Sequence, residues 1–298
     1  MRILLFGCRG QLGWELQRAL APLGEVVALD FDSKGLAADF TRPLELAATV
    51  RAVGPHAIVN AAAHTAVDKA EGERDLARTI NAEAPAVLAR EAASTGAWLV
   101  HYSTDYVFDG SGSQPWKEGD AARPLSVYGR TKLDGEEFIR ESGSHHLILR
   151  TSWLYAARGG NFARTMIKLA TERDELRVVD DQIGAPTGAD LLADITAHTL
   201  RSAMARPELG GTYHAVAAGE TSWHGYARFV IDWARAQGLP VSVAPERMVA
   251  VPSNAYPTAA RRPLNSRLDT QRLQQTFGLK MPQWQPGVLR MLAEVHNR

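Results

Sequence analysis

The chain has 298 residues, of which 33 are Lys or Arg and 33 are Asp or Glu, and 45% are hydrophobic. Balanced charge speaks against a basic nucleic-acid groove or a polybasic membrane anchor, and the composition is that of a globular protein rather than a disordered one. No window holds the roughly 18 apolar residues that a membrane helix needs, and Met1-Arg2 leads into too short an apolar run for a signal peptide, so a soluble cytoplasmic protein is expected.

Arg2 to Phe6 is short and uniformly apolar, which predicts a strand buried on both faces. Glycines follow at 7, 10 and 13, then a helix from about Gln11 to Leu20, closed by Pro22 and Gly24. A second strand, Val26 to Leu29, ends on Asp30. Helix Pro43 to Val53 has Thr41 as its candidate cap and Gly54-Pro55 as its stop. Strand Ala57 to Ala61 precedes a long helical segment from about Glu73 to Ser94. Strand Trp98 to Ser103, a loop rich in Gly, Asp and Pro up to Pro124, a helix from near Val127 and strand His146 to Thr151 complete this region.

Strands alternating with helices predict βαβ crossovers, hence an α/β fold with a Rossmann-like, doubly wound parallel sheet. Beyond residue 151 the rhythm weakens. Helices are expected at Phe162 to Glu172, Ala189 to Met204, Trp223 to Gln237, Gln271 to Phe277 and near the C-terminus, with strands at Leu176 to Val179 and Thr212 to Val216. The expected division is a dinucleotide-binding domain over 1–151 and a smaller, mixed α/β substrate domain over 152–298, with room for part of the latter to return to the first sheet.

Gly7, Gly10 and Gly13 stand on a G-x-x-G-x-x-G spacing between the first strand and the first helix. Such a turn exposes backbone N–H groups and lets a pyrophosphate approach the positive end of a helix, where a side chain would block it. The spacing differs by one residue from the G-x-G-x-x-G fingerprint, and its position after the first strand is what gives it weight. Asp30, 17 residues after Gly13, stands about where a carboxylate accepts hydrogen bonds from an adenosine ribose and repels a 2′-phosphate. Arg9, inside the loop, pulls the other way, because a guanidinium pairs with that phosphate. Both NADPH and NADH are therefore expected as cofactors. The one cysteine, Cys8, lies in the same loop and excludes an intramolecular disulfide.

Tyr128 and Lys132 are four residues apart, on one face of the helix that begins near Val127. A phenol of pKa about 10 is a poor acid–base catalyst at neutral pH, and a neighbouring ammonium brings it down toward the working range. Ser103-Thr104-Asp105 closes the preceding strand at its carboxyl end, where open α/β sheets place ligand contacts. A hydroxyl there fixes a substrate carbonyl beside the tyrosine.

In this order the glycine loop, Asn60-Ala61-Ala62, the hydroxyls at 103–104, Tyr128 and Lys132 resemble the extended short-chain dehydrogenase/reductase superfamily. More narrowly, Asn60 to Asp68, Ser103 to Phe108, Arg150 to Trp153, Asp181 to Thr187 and Arg261 to Ser266 are similar to the dTDP-4-dehydrorhamnose reductase family, from residue 1 to about Leu292. The resemblance implies NAD(P)H-dependent reduction of the 4-keto group of dTDP-4-dehydro-β-L-rhamnose to dTDP-L-rhamnose. It implies Tyr128 as proton donor, Lys132 as its tuner and the contact of the nicotinamide ribose, and Thr104 as the group that orients the oxygen. Gly10, Gln11 and Leu12 are then expected along the pyrophosphate, Asp30, Asp39 and Phe40 around the adenosine, and Ala62 and Ala63 at the middle of the cofactor. Asp105 and Trp153 are expected on the sugar, and Arg261, Arg262 and Asn265 on the diphosphate and base. It also implies a homodimer linked by magnesium through Glu15, Asp190 (where the family carries a glutamate) and Glu294, and a helix asparagine, Asn81, that organises a water near the lysine.

Two rival readings share the scaffold. Another nucleotide-sugar reductase, epimerase or dehydratase would keep the same motifs, and the latter two would retain bound NAD. A regulatory subunit that binds a dinucleotide without turnover would have no need of Thr104, Tyr128 and Lys132 together.

Overall fold

The apolar run at the N-terminus forms strand β1 (Arg2–Phe6), and β2 (Glu25–Leu29), β3 (Ala57–Asn60), β4 (Trp98–Thr104) and β5 (His146–Thr151) join it in one sheet. The computed structural model describes residues 1–296, so the last two positions of the expected 152–298 region lie outside the described residues. A strand from the second half, β6 (Gly211–His214), adds to the edge of β5. The order is β6-β5-β4-β3-β1-β2, with every pairing parallel.

Two helical layers cover the sheet. Leu12, Leu16 and Leu20 of α1 (Gln11–Leu20) pack with Leu192 and Leu200 of α6 (Ala189–Ala205) on the face that carries Ile3, Leu5 and Val100. Leu46 and Val50 of α2 (Pro43–Val53) and Leu88 of α3 (Ala84–Thr95) cover Leu4, Phe6 and Leu99 on the other face. Each fully buried Leu or Ile contributes roughly 1.5–3 kcal/mol, which fixes which side chains of the strands point inward. The reversal of strand order falls between β1 and β3, and the carboxyl ends of β1, β3 and β4 open one crevice there.

The remaining layer is smaller. Helices α5 (Phe162–Glu172), α7 (Trp223–Ala236) and α8 (Trp284–His296) share a core of Ile167, Tyr226, Val230, Trp284 and Leu292. Leu176–Val179 pairs in parallel with Met248–Val251 beside it. No helix among the described residues is long and apolar enough to cross a membrane.

Two local expectations fail for identifiable reasons. The single helix from Glu73 to Ser94 is broken into Arg74–Arg78, a π-helical turn at Thr79–Glu83 and α3. Pro85 has no N–H to give to the preceding turn, and the wider turn absorbs the missing bond. Thr41 does not cap α2: its N–H and hydroxyl both bond to Asp39 Oδ1, while Arg42 occupies the cap position and Pro43 the first turn.

Candidate active site

The glycine loop turns from β1 into α1 directly against the backbone after β3. Gly7 has φ +78°, and a Cβ there would lie 2.8 Å from Ala62 N. A Cβ on Gly13 would overlap the Gly7 carbonyl, whereas one on Gly10 meets nothing closer than that carbonyl at 3.4 Å. Gly7 and Gly13 are thus demanded by the fold, and Gly10 keeps open the space in front of the helix. Gly10 is also the N-cap of α1, with no side-chain cap and no acidic residue in the first turn. The positive end of the helix is left for an anion, which is what a pyrophosphate needs.

The other residues expected along the cofactor divide into two groups. Asp30 ends β2, and its carboxylate accepts from the N–H groups of Arg9 and Phe31 at 2.9 Å each. The Arg9 guanidinium pairs with Asp32 and lies 5.8 Å from the Phe31 ring. Ala62 and Ala63 follow β3, with the Ala62 N–H held by Asn60 Oδ1. By contrast, the side chains of four expected contacts are engaged elsewhere. Leu12 is in the core, Phe40 packs edge-on against Phe6 at 5.4 Å, and Asp39 is bonded to Thr41. Gln11 turns its amide to the carbonyls of Arg158 and Gly160, tying the glycine loop to the second half.

The trio of Thr104, Tyr128 and Lys132 lies where β4 ends and α4 (Val127–Glu141) begins. Ser126 caps α4 by accepting from Gly129 N, and Gly129 lets the first turn sit against the Tyr106 carbonyl. Thr104 Oγ1 donates to Asp105 Oδ1 at 3.0 Å and accepts from Tyr106 N at 3.2 Å. Burial pushes the Tyr128 hydroxyl up to about 12, against the pull of its hydrogen bond to Thr104, and the Asp105 carboxylate pushes in the same direction as burial. The expected lowering by Lys132 is absent here, because Lys132 Nζ faces His101 Nε2 at 3.1 Å. Burial brings Lys132 itself down to about 8, with Glu136 opposing.

Asp105 is 2% exposed, and burial raises its carboxyl to about 6 despite hydrogen bonds from Ser266 and Thr104. Its Oδ2 has no hydrogen-bond partner, a buried acceptor left over at the end of β4. Asn81 does not stand free for a water: its amide bridges His64 N, His64 O and Thr131 Oγ1, fastening α4 to the segment after β3.

A cavity of about 890 Å³ is lined by Asp109, Leu125, Phe162, Gln182, Trp223, Tyr256 and Arg261, and none of the trio is on its wall. Arg262, on the same wall, is held by Asp68 Oδ2 at 2.6 Å. Trp153 does not line this cavity. It stands behind Trp223, stacked at 3.7 Å with φ +48°, the only positive value at a non-glycine among the described residues. Asn265 departs from expectation more fully: 1% exposed, it donates to the carbonyls of Ser111 and Gln114 and accepts from Arg267. Its amide is consumed in holding the 111–114 loop. Trp223, Phe162 and Tyr256 carry no motif; the packing of α5 against α7 reveals the first two, and the turn after Ser253–Ala255 brings in the third.

Glu15, Asp190 and Glu294 line one concavity of about 440 Å³, together with Arg18 and Arg290. Asp190 is paired with Arg290, and Glu15 lies 3.5 Å from Arg18. Among the described residues no three acidic, histidine or cysteine groups stand close enough to hold a metal ion. One copy of the chain does not supply the magnesium site.

A parallel sheet with a glycine turn at its switch point, and a Thr–Tyr–Lys trio beside it, defines a dinucleotide-dependent oxidoreductase of the extended short-chain type. The chain belongs to the RmlD substrate binding domain family, whose sequence profile matches residues 1–297. It is 56% identical over 295 residues to the dTDP-4-dehydrorhamnose reductase of Escherichia coli K12, covering 99% of this chain and 98% of that one. Among solved structures it resembles a dTDP-4-dehydrorhamnose reductase from Clostridium acetobutylicum, with 37% identity, TM-score 0.88 and 99% of both chains covered. The Bacillus anthracis reductase, solved in complex with NADP, matches at 37% identity and TM-score 0.85 over 98% of this chain and 99% of that one.

Proposed function

We propose that the protein catalyses NAD(P)H-dependent reduction of the 4-keto group of dTDP-4-dehydro-β-L-rhamnose, giving dTDP-L-rhamnose in the cytoplasm. The observation that carries this reading is the Thr104, Tyr128 and Lys132 trio beside the glycine turn, in a chain 56% identical over 295 residues to a reductase of that name. When bound, the nicotinamide supplies the hydride. Gly10 and the N-terminus of α1 hold the pyrophosphate, and Lys132 holds the nicotinamide ribose. With its hydroxyl at about 12, Tyr128 is protonated at neutral pH, the state that a proton donor requires. Thr104 orients the hydroxyl, and Lys132 stabilises the phenolate left behind. Arg261 meets the diphosphate, and Trp223 presents a flat apolar wall to the base or sugar.

Arg9 and Asp30 belong to opposite preferences, and we infer that both NADPH and NADH are accepted. A homodimer bridged by magnesium would use the concavity of Glu15, Asp190 and Glu294 as a half-site, with Arg290 released from Asp190. The deciding assay follows reduced-nicotinamide absorbance with dTDP-4-dehydrorhamnose made in the same cuvette, with both cofactors in parallel. Oxidation of either cofactor supports the assignment. A folded protein that binds NADPH and leaves it unoxidised refutes it and moves the search to other 4-keto nucleotide sugars.

A further inference from the structure

Beneath Lys132 lies a group that the reductase mechanism does not use. His101, in the middle of β4, is 1% exposed. Its Nδ1 is 3.1 Å from Asn60 Nδ2 on β3, and its Nε2 is 3.1 Å from Lys132 Nζ on α4. The direction of these bonds is fixed from one end. Ala62 N–H is a backbone donor and points at Asn60 Oδ1, 3.1 Å away. The other end of that amide, an NH2 group, therefore faces the imidazole and donates to Nδ1. A neutral imidazole that accepts at Nδ1 carries its proton on Nε2. That N–H points at Lys132 Nζ, which accepts it only as an uncharged amine. An ammonium would set two donors head to head where Lys132 is 3% exposed.

The surrounding charges leave this assignment in place. Glu136, one turn along α4, is bonded to Arg150 of β5 and to Arg140. Asp105 and Tyr128 lie toward the crevice, and Asn60 is uncharged. Burial holds His101 well below the usual imidazole value, so the ring is neutral.

We propose that His101 is a positioning residue: locked as the Nε2–H tautomer by Asn60, it parks Lys132 as a neutral amine in the cofactor-free protein. The amine takes up a proton from solvent as it leaves the imidazole for the nicotinamide ribose; one N–H bond forms on Nζ and no other bond changes. The second statement rests on the reductase reading, which makes Lys132 the ribose contact. The first does not.

The test begins with full-length wild-type protein labelled with 15N-histidine, free of cofactor, with His101 assigned by its absence in His101→Gln. Long-range proton–nitrogen spectra at about pH 9, above the value of about 8 to which burial brings Lys132, should show a protonated Nε2 and a bare Nδ1. The opposite tautomer, or an imidazolium, overturns the proposal. Calorimetry of NADPH binding follows, in two buffers of different ionisation enthalpy, near the pH of about 8 to which burial brings Lys132. Wild type should take up a substantial fraction of about one proton per site. Asn60→Asp, whose carboxylate accepts from Nδ1–H and so turns a bare Nε2 toward an ammonium, should lose most of that uptake, and His101→Gln, which again presents an N–H, should keep it. No uptake by wild type, or equal uptake by Asn60→Asp, overturns the coupling. A protein that binds neither NADPH nor NADH overturns the reductase reading and the coupling together, and the tautomer alone then decides the parking of Lys132.

Discussion

Replacing Glu136 by Gln removes the counter-charge of a buried guanidinium. Glu136 is fully buried and Arg150 is 4% exposed. Arg150 Nε and Nη2 reach the two carboxylate oxygens at 2.8 and 2.7 Å, and Arg140 adds a third bond at 2.9 Å. With one partner of such a pair gone, the other charge stays in low dielectric, a loss of about 3–5 kcal/mol. A typical domain has only about 5–15 kcal/mol in all. The double variant Glu136→Gln, Arg150→Met removes both charges and should recover a good part of the loss. Equilibrium urea unfolding followed by tryptophan fluorescence gives each value. Burial alone would raise the Glu136 carboxyl, but the bonds and charge of Arg150 hold it below its ordinary value. Its contribution is therefore present above the usual carboxylate range and fades as pH falls through that depressed value, so the gap between wild type and Glu136→Gln should narrow in acid. A loss below about 1 kcal/mol, the range of exposed pairs, or a double variant no more stable than the single one, would refute the reasoning.

Tyr128→Phe should lower kcat by about 10²-fold or more while NADPH binding, read by fluorescence titration, stays close to wild type. Gly10→Ala should fold normally and lose NADPH affinity, because its Cβ enters open space before α1, whereas Gly13→Ala should fail to fold against the Gly7 carbonyl; soluble yield and circular dichroism separate the two. Gly184→Ala would bring a Cβ within 2.9 Å of Trp153 Cε2 and disturb its stack on Trp223. Its kcat/KM for the nucleotide sugar should fall about tenfold or more with the NADPH KM little changed. Asp105→Asn should abolish one feature of the stability–pH profile. The wild-type carboxyl, at about 6 in the fold against 3.8 in a free chain, gains protons on folding, so wild-type stability rises as pH drops between those values; a melting temperature scan shows whether the variant lacks that rise.

The sheet was legible in the sequence because parallel strands buried on both faces leave apolar runs such as Arg2–Phe6 that no other element imitates. Tyr128 and Lys132 were legible through their spacing, and Gly7 and Gly13 through backbone demands that hold wherever the motif occurs. What pattern could not show is where a side chain's bonds end. Asn265 and Gln11 have the polarity of ligand contacts, yet each is bonded to backbone carbonyls more than 140 residues away in sequence. Trp153 and Trp223 are equally plausible walls on paper, and only their stacking shows which one faces the cavity. His101 reads as one more residue of a buried strand until Asn60 and Lys132 are seen on its two nitrogens.

The strand β6 has a bearing on how the protein emerges from the ribosome. Until residue 214 is free of the exit tunnel, β5 is a bare sheet edge, and α1 lacks the cover of α6. The half that carries the glycine loop therefore cannot close when its own five strands have been made, and must wait for more than two-thirds of the chain. During that interval the nascent protein exposes an apolar edge open to pairing with a neighbour, which makes it a client for chaperones. A fragment cut near residue 151 would be frozen in that same state. Transplanting the cofactor half onto another substrate half would succeed only if the returning strand and α6 travel with it.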